Sequence, residues 1–234
     1  MKDLLKKMGS SQHPFWVAVC NWLRFPVIFI QFQLLSYRKE KETVDLIRKI
    51  YRETVYLGMY PDEMFQVYEC VKLVERLGGD FAEVGVGGGR TAKLICALKG
   101  KRPFHLFDTF SGLPEPMSMD ISHARGQFAF SEDYISRVLA GSEGVVRHKG
   151  LFPQDSAKDV EKNTFAFVHL DVDLYQSTLD GLKFFYGRME KGGIILSHDY
   201  STLAAVKSAF SEFFKDKPEY VIETTTSQCL VVKS

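Results

Sequence analysis

Two short acidic segments carry the clearest chemistry in the chain: His169-Leu170-Asp171-Val172-Asp173-Leu174-Tyr175 and Gly192-Gly193-Ile194-Ile195-Leu196-Ser197-His198-Asp199-Tyr200. Both read as strand ends that deliver carboxylates, and in the second case an imidazole, to one place, which suits a divalent metal. Upstream, the strand Phe81-Ala82-Glu83-Val84 runs into Gly85, Val86, Gly87, Gly88 and Gly89. Glycines at such a turn let the backbone approach a nucleotide-like cofactor, and the following helix presents its N-terminus to polar groups. Asp108 lies 23 residues past Gly85, about the offset at which an acid accepts hydrogen bonds from ribose hydroxyls.

A dinucleotide and S-adenosylmethionine would both offer a ribose to Asp108. Arg90 breaks the dinucleotide fingerprint, which wants Gly or Ala there. Glu83 would repel a pyrophosphate but suits the ammonium of a methionine tail. Tyr68 and Lys72 have the spacing of a dehydrogenase Tyr-x-x-x-Lys pair, yet they precede the loop and read as helix-surface spacing.

The elements that must position these residues alternate along the chain. Apolar residues at helical spacing run through Val44, Ile47, Ile50 and Tyr51, and again through Met64, Val67, Tyr68, Val71 and Val74. After the first strand and its loop, residues 91–98 read as a helix and 103–108 as a second strand ending in an acid. A helix over 132–139, strands over 145–148, 165–170 and 194–197, and a closing hairpin of 220–223 with 228–232 complete the pattern. Alternation of this kind implies an α/β fold with a mostly parallel, doubly wound sheet covered on both faces. The N-terminal segment 1–45 reads as an apolar and charged extension, and 46–234 as one cofactor-binding domain.

Composition narrows the partners. Thirty basic and 29 acidic residues leave a formal charge of +1, which gives no electrostatic drive toward nucleic acid. Cys20, Cys70, Cys96 and Cys229 are scattered without metal or redox spacing and read as thiols of a reducing, cytoplasmic compartment. Residues 15–37 are long enough to cross a bilayer core, for which about 20 residues suffice. Asn21, Arg24, Pro26, Gln31 and Gln33 interrupt that run, and no small-residue cleavage site follows. Packing on the domain or on a second copy in a homo-oligomer is the leading expectation. Membrane-surface contact helped by Lys2, Lys6 and Lys7 is the next, and a membrane span the last.

The ordered segments Glu83-Val84-Gly85-Val86 with Gly89, Leu106 to Pro116, Gly126-Gln127-Phe128, Ser131-Glu132, Lys149 to Pro153, His169 to Tyr175 and Gly192 to Tyr200 resemble the macrocin O-methyltransferase family. This TylF/MycF group methylates sugar hydroxyls of macrolide and related antibiotics with the help of a metal, and the likeness covers residues 54–214. It implies a class I methyltransferase (Rossmann-like) fold and S-adenosylmethionine as cofactor. By position, Glu83, Gly85 and Gly89 would surround the methionine part and Asp108 would hold the ribose. Asp155 and Ser156 would lie near the adenine, with Val86, Gly87, Arg90, Thr91, Thr109 and Asp171 completing the surroundings. Asp171, His198 and Asp199 fall at the divalent-metal site, with Asp171 the favoured general base and His198 a second catalytic candidate. The acceptor would be a sugar or another small molecule.

The chain departs from the family where Asp-Asp-Tyr is usual and His198-Asp199-Tyr200 stands, and where Gly58-Met59 replaces a more usual Thr-Met. Magnesium is the first expectation for the metal, and the imidazole admits a transition metal as the alternative. A divalent cation on the acceptor oxygen would favour its alkoxide as the proton leaves, while positioning supplies much of the rate. Asp173 shares a strand face with Asp171 but reads chiefly as a cap for the helix beginning near Gln176 and Ser177. His169 reads as a satisfied core histidine, and His123 as part of an acceptor-facing lid between Pro116 and Phe128. The competing readings are a catalytically inactive methyltransferase-fold binding module and, opposed by Arg90, a nicotinamide-dependent oxidoreductase.

Overall fold

Aromatic and β-branched residues build strands buried on both faces, so the sheet forms around runs such as Phe165-Ala166-Phe167-Val168-His169-Leu170, buried at every position. The computed structural model describes residues 14–54 and 58–234, with side chains from residue 24 onward. Lys2, Lys6 and Lys7 lie outside the described residues. The helices are α1 (Pro14–Arg38), α2 (Lys41–Glu53), α3 (Pro61–Leu73), α4 (Arg90–Leu98), α5 (Glu132–Val138), α6 (Tyr175–Tyr186) and α7 (Ala204–Phe214). The strands are β1 (Asp80–Val84), β2 (Phe104–Asp108), β3 (Val145–Lys149), β4 (Phe165–Leu170), β5 (Met189–Ser197), β6 (Ile222–Glu223) and β7 (Cys229–Val232).

They form one seven-stranded sheet in the order β3-β2-β1-β4-β5-β7-β6. Strands β1 to β5 are mutually parallel, and β7 runs antiparallel to both β5 and β6. The expected hairpin is therefore present, with its second strand placed inside its first. Alternation divides the core: Phe81, Leu106, Phe167, Ile194 and Leu196 face α2 to α4, while Ala82, Phe107, Val168 and Ile195 face α6 and α7. Strand β5 begins five residues earlier than the apolar run suggests, because Met189 pairs with Phe165 across a bulge.

Helix α2 buries Thr43, Val44, Ile47 and Ile50 at helical spacing. The packed unit thus begins within the segment read as an extension, and a boundary at residue 46 would cut α2. Helix α1 lays Phe32 and Leu35 on this core, with the Phe32 ring edge-on to Tyr51 at 5.3 Å. Its other side, including Phe25, Phe29, Ile30, Leu34 and Tyr37, is exposed. Among the described residues, no helix is long and apolar enough to cross a membrane.

Between β2 and β3 lies a buried polar chain. His105 Nδ1 meets His148 Nε2 at 2.9 Å, His105 Nε2 meets Asp80 Oδ2 at 3.1 Å, and His148 stacks on Phe107 with centroids 4.6 Å apart. Burial, with His105 beside it, lowers the His148 pKa below the ordinary imidazole value. The folded state then resists a proton that the unfolded chain accepts, so stability falls as pH falls below about 6.5. Urea unfolding of the wild type and His148→Phe between about pH 7 and about pH 5 checks this: the wild type should lose more, by up to about 1.4 kcal/mol per pH unit. Parallel pH profiles would contradict the assignment.

Candidate functional site

The carboxyl ends of β2, β1, β4 and β5 lie side by side, and each delivers something different. At β1 the chain turns through Gly85, whose φ is +84°, and an added Cβ there would stand 1.8 Å from the Asp171 carbonyl oxygen. Asp171 N–H in turn donates to Val84 O at 2.9 Å. Only glycine permits this contact, which brings the end of β4 against the loop. At β2, Asp108 Oδ2 accepts from Val86 N–H at 2.7 Å and Gly87 N–H at 3.3 Å, and Oδ1 accepts from Phe110 N–H at 2.7 Å. A carboxylate has about four acceptor positions, so Asp108 clamps the loop and still has capacity toward the cleft.

That cleft is open to solvent on one side and runs along the strand ends. Its walls include Gly85, Gly87, Asp108, Thr109, Asp171 and Asp173 from the strand ends, and Gln127, Phe128, Leu151 and Phe152 from two loops. Thr109 Oγ1 donates to Gly112 O at 2.7 Å and holds the first turn of the loop that closes over it. Asp155 and Ser156 are not on the wall. They brace it, since Asp155 Oδ2 accepts from Leu151 N–H at 3.2 Å and Ser156 Oγ donates to Leu151 O at 3.4 Å.

Glu83, Arg90 and Thr91 lie behind the loop. Glu83 is 1% exposed and meets His169 Nδ1 at 3.0 Å, while its Oε2 and His169 Nε2 have no hydrogen-bond partner. Burial, opposed by His169, pushes the Glu83 pKa up to about 7. Arg90 Nε donates to Thr54 Oγ1 at 3.0 Å and Nη1 to Met59 O at 3.2 Å, and its guanidinium lies 3.9 Å from the Tyr51 ring centre. It ties the end of α2 and the Met59 backbone to the start of α4. Thr91 is buried beside it.

Beyond Asp171 the acids converge on an imidazole. His198 Nδ1 lies 2.9 Å from Asp199 Oδ2 and 3.2 Å from Asp171 Oδ1, and Nε2 lies 3.3 Å from Glu63 Oε2. Both ring nitrogens are buried, and neither is in line for a hydrogen bond. Burial alone would lower the His198 pKa, yet Asp171, Asp199 and Glu63 raise it well above the ordinary value. For Asp199, burial raises the pKa while His198 and the Thr202 hydroxyl, 2.6 Å from Oδ1, bring it down to about 2. Burial first, then Asp171 and Asp199, push the Asp173 pKa well above the usual carboxylate range. Surroundings negative enough to favour the charged form of a buried imidazole also favour a divalent cation. One ligand atom from each of Asp171, His198 and Asp199 lies within 4.8 Å of the others. An imidazole nitrogen without a hydrogen bond between two carboxylates fits such an ion.

The expected cap at Asp173 is corrected. Helix α6 starts at Tyr175 after Leu174 with no side-chain cap of its own, and Tyr175 N–H donates to Asp120 Oδ1 at 3.0 Å. Asp173 instead has φ +57°, as Asp199 has φ +56°, a left-handed conformation that short polar side chains tolerate and that turns both acids toward the cluster. Asp120 and Glu63 are the residues that sequence reasoning missed. Asp120 sits in the segment read as a lid, where His123 packs edge-on to Phe128 at 6.1 Å. The Glu at the third position of α3, after Pro61, reads as an ordinary helix start.

The strand order, with its reversed β7 and its cleft at the carboxyl ends, defines a class I methyltransferase fold. The chain belongs to the macrocin-O-methyltransferase (TylF) family, whose sequence model matches residues 59–223. Demethyldecarbamoylnovobiocin O-methyltransferase of Streptomyces niveus is 24% identical over 165 residues, 63% of this chain, and the match spans 63% of that relative's length. The solved structure of the O-methyltransferase NovP superposes with a TM-score of 0.68 at 24% identity, over 75% of this chain and 81% of that one. The calicheamicin methyltransferase CalS11 does so with a TM-score of 0.67 at 17% identity, over 88% and 91%. The apo form of CalS11 is described as a TDP-rhamnose 3′-O-methyltransferase, with a TM-score of 0.60 at 15% identity over 88% and 93%.

Gly85→Ala tests the contact on which the site is built. The left-handed backbone and the overlap with Asp171 should lower stability by roughly 2 kcal/mol or more in urea unfolding. Gly100→Ala, at φ +61° with nothing within 4 Å of its Cβ, is the control and should lose only about 1 kcal/mol.

Proposed function

We propose that this protein is an S-adenosylmethionine-dependent, divalent-metal-assisted O-methyltransferase acting on a hydroxyl of a sugar or glycosylated small molecule. The observation that carries the reading is the double membership of Asp171, which lines the cleft and belongs to the Asp171–His198–Asp199 cluster. A methyl donor in the cleft and an oxygen at the cluster would therefore share one wall. The named substrates of the family and of CalS11 support a sugar or natural-product acceptor.

In this reading Gly85 and Gly87 give the methionine part close backbone contact, with Glu83, Arg90 and Thr91 holding the loop from behind. Asp108 accepts from the ribose, and Thr109 fixes the turn beside it. The Leu151 backbone, braced by Asp155 and Ser156, flanks the adenine with Phe152. Asp171, His198 and Asp199 hold the divalent ion. When bound, the sulfonium would supply an electrophilic methyl group and the divalent ion would favour ionisation of the acceptor hydroxyl. Asp171 takes the acceptor's proton and orients its oxygen for in-line attack. Asp173, on the cleft wall beside these ligands, faces the acceptor's neighbouring hydroxyls. The exposed apolar side of α1 is the surface offered to a second copy.

Methyl transfer to a panel of sugars and glycosides, with and without a chelator, tests the proposal. Chelation should abolish turnover, and added Mg²⁺ or Mn²⁺ should restore it. Asp171→Ala should slow transfer by about 10²- to 10⁴-fold, the usual contribution of a positioned base, while cofactor binding by calorimetry survives. Turnover that ignores the chelator would remove the metal from the mechanism. Absence of S-adenosylmethionine binding would remove the methyltransferase reading itself.

A further inference from the structure

Glu63 is more firmly held than a helix start requires. It is the third residue of α3, where a glutamate can reach back to the backbone before the helix, and Tyr60 N–H donates to its Oε2 at 2.7 Å. One oxygen would satisfy that role. Its other oxygen, Oε1, accepts from Ser227 Oγ at 2.5 Å, across 164 residues of sequence. Ser227 lies in the turn before β7, beside the fully buried Gln228, whose Oε1 accepts from Thr226 Oγ1 at 3.0 Å. Glu63 is itself 5% exposed, and the charge of a carboxylate so buried demands partners.

The orientation of this anchored carboxylate gives it a second role. Its Oε2 lies 3.3 Å from His198 Nε2, on the side of the ring away from the acid pair that faces Nδ1. A neutral imidazole has one N–H and one lone pair, and whatever accepts the N–H decides where the lone pair points. A carboxylate fixed at Nε2 places the N–H there and the lone pair on Nδ1, between Asp171 and Asp199. Neither contact is a linear hydrogen bond, but Glu63 Oε2 is the carboxylate oxygen facing Nε2, so a small rotation of the ring lets it accept that N–H while Nδ1 stays turned to the two acids.

We infer that Glu63 is a positioning residue for His198, fixing the ring so that Nδ1 serves as the nitrogen ligand of the Asp171–Asp199 cation site and biasing that site toward transition metals over Mg²⁺. This rests on the metal reading above. A carboxylate that accepts the far N–H of a metal-bound imidazole fixes its orientation and raises its basicity, and losing such a partner typically weakens metal binding about 10- to 100-fold. Mn²⁺ gains from an imidazole ligand, whereas Mg²⁺ is held mainly by oxygen. Removal of Glu63 therefore weakens Mn²⁺ more than Mg²⁺.

The test uses the full chain with Mn²⁺ or Mg²⁺ alone, free Mn²⁺ being followed by electron paramagnetic resonance and Mg²⁺ by competition. Glu63→Ala should weaken Mn²⁺ binding about 10- to 100-fold and Mg²⁺ binding roughly threefold or less. Glu63→Gln keeps an acceptor for Tyr60 N–H and for Nε2–H, and should lose roughly three- to tenfold for Mn²⁺. Nitrogen-15 spectra of His198 in the Zn²⁺-loaded wild type should show the proton on Nε2, an assignment that a merely structural role for Glu63 would not fix. The inference is overturned if Glu63→Gln binds Mn²⁺ and Mg²⁺ as the wild type does, or if the proton is on Nδ1. Should Glu63→Ala not fold, Glu63→Gln decides alone. Wild type that binds neither ion would overturn the metal reading and this inference with it, whereas intact wild-type binding with unaffected variants overturns the inference only.

Discussion

The contact between Gly85 and the Asp171 carbonyl oxygen is the constraint from which the site follows. Strand β1 lies between β2 and β4, and the chain leaves it on one side to build β2 and β3 and returns on the other to build β4 and β5. Where the order reverses, the loops after neighbouring strands diverge and leave a crevice. Here that crevice is narrowed from below, because the loop after β1 presses against the end of β4 with no side chain between them. Four adjacent strands, about 4.8 Å apart, then set Asp108, the loop, Asp171 and the His198–Asp199 pair along a line of about 14 Å. The order of these groups is the order of the strands.

Much of this could be read from sequence because it follows one chain rule: an apolar strand ending in glycine or acid, then a helix. Both acidic strand ends, the loop and Asp108 obey it, and so does the alternation from which the sheet was expected. Glu83 shows how far the rule extends. Val84 lines the cleft, so its neighbour must point to the opposite face, where the register sets it beside His169. Its place off the cleft wall was thus implicit in the period of the strand.

Glu63 and Asp120 obey no such rule. Each reaches the site from a segment whose local sequence satisfies a local purpose, a helix start in one case and a loop turn in the other. Their importance comes from proximity to His198 and to the first turn of α6, which only the tertiary packing creates. Asp173 was misread for the complementary reason. Two residues ahead of a helix it looks like a cap, but its left-handed backbone aims it at Asp199 and leaves the helix end to Asp120. Acids taken out of water in this way are destabilising unless their charges are balanced, and here the His198 ring lies within 3.3 Å of Asp171, Asp199 and Glu63.

Asp120 separates two jobs that share one cleft. Its Oδ2 accepts from Met117 N–H at 2.9 Å inside the loop, and its Oδ1 holds the first turn of α6. At the base of the loop, Leu113 N–H donates to Gln127 O and Gly126 N–H to Leu113 O, both at 2.9 Å. Between these two fastenings Met117, Met119 and Ile121 are exposed and carry no load for the sheet. The segment is in effect an interchangeable part: its exposed face can diverge while its fasteners keep it seated and the strand ends beneath it undisturbed.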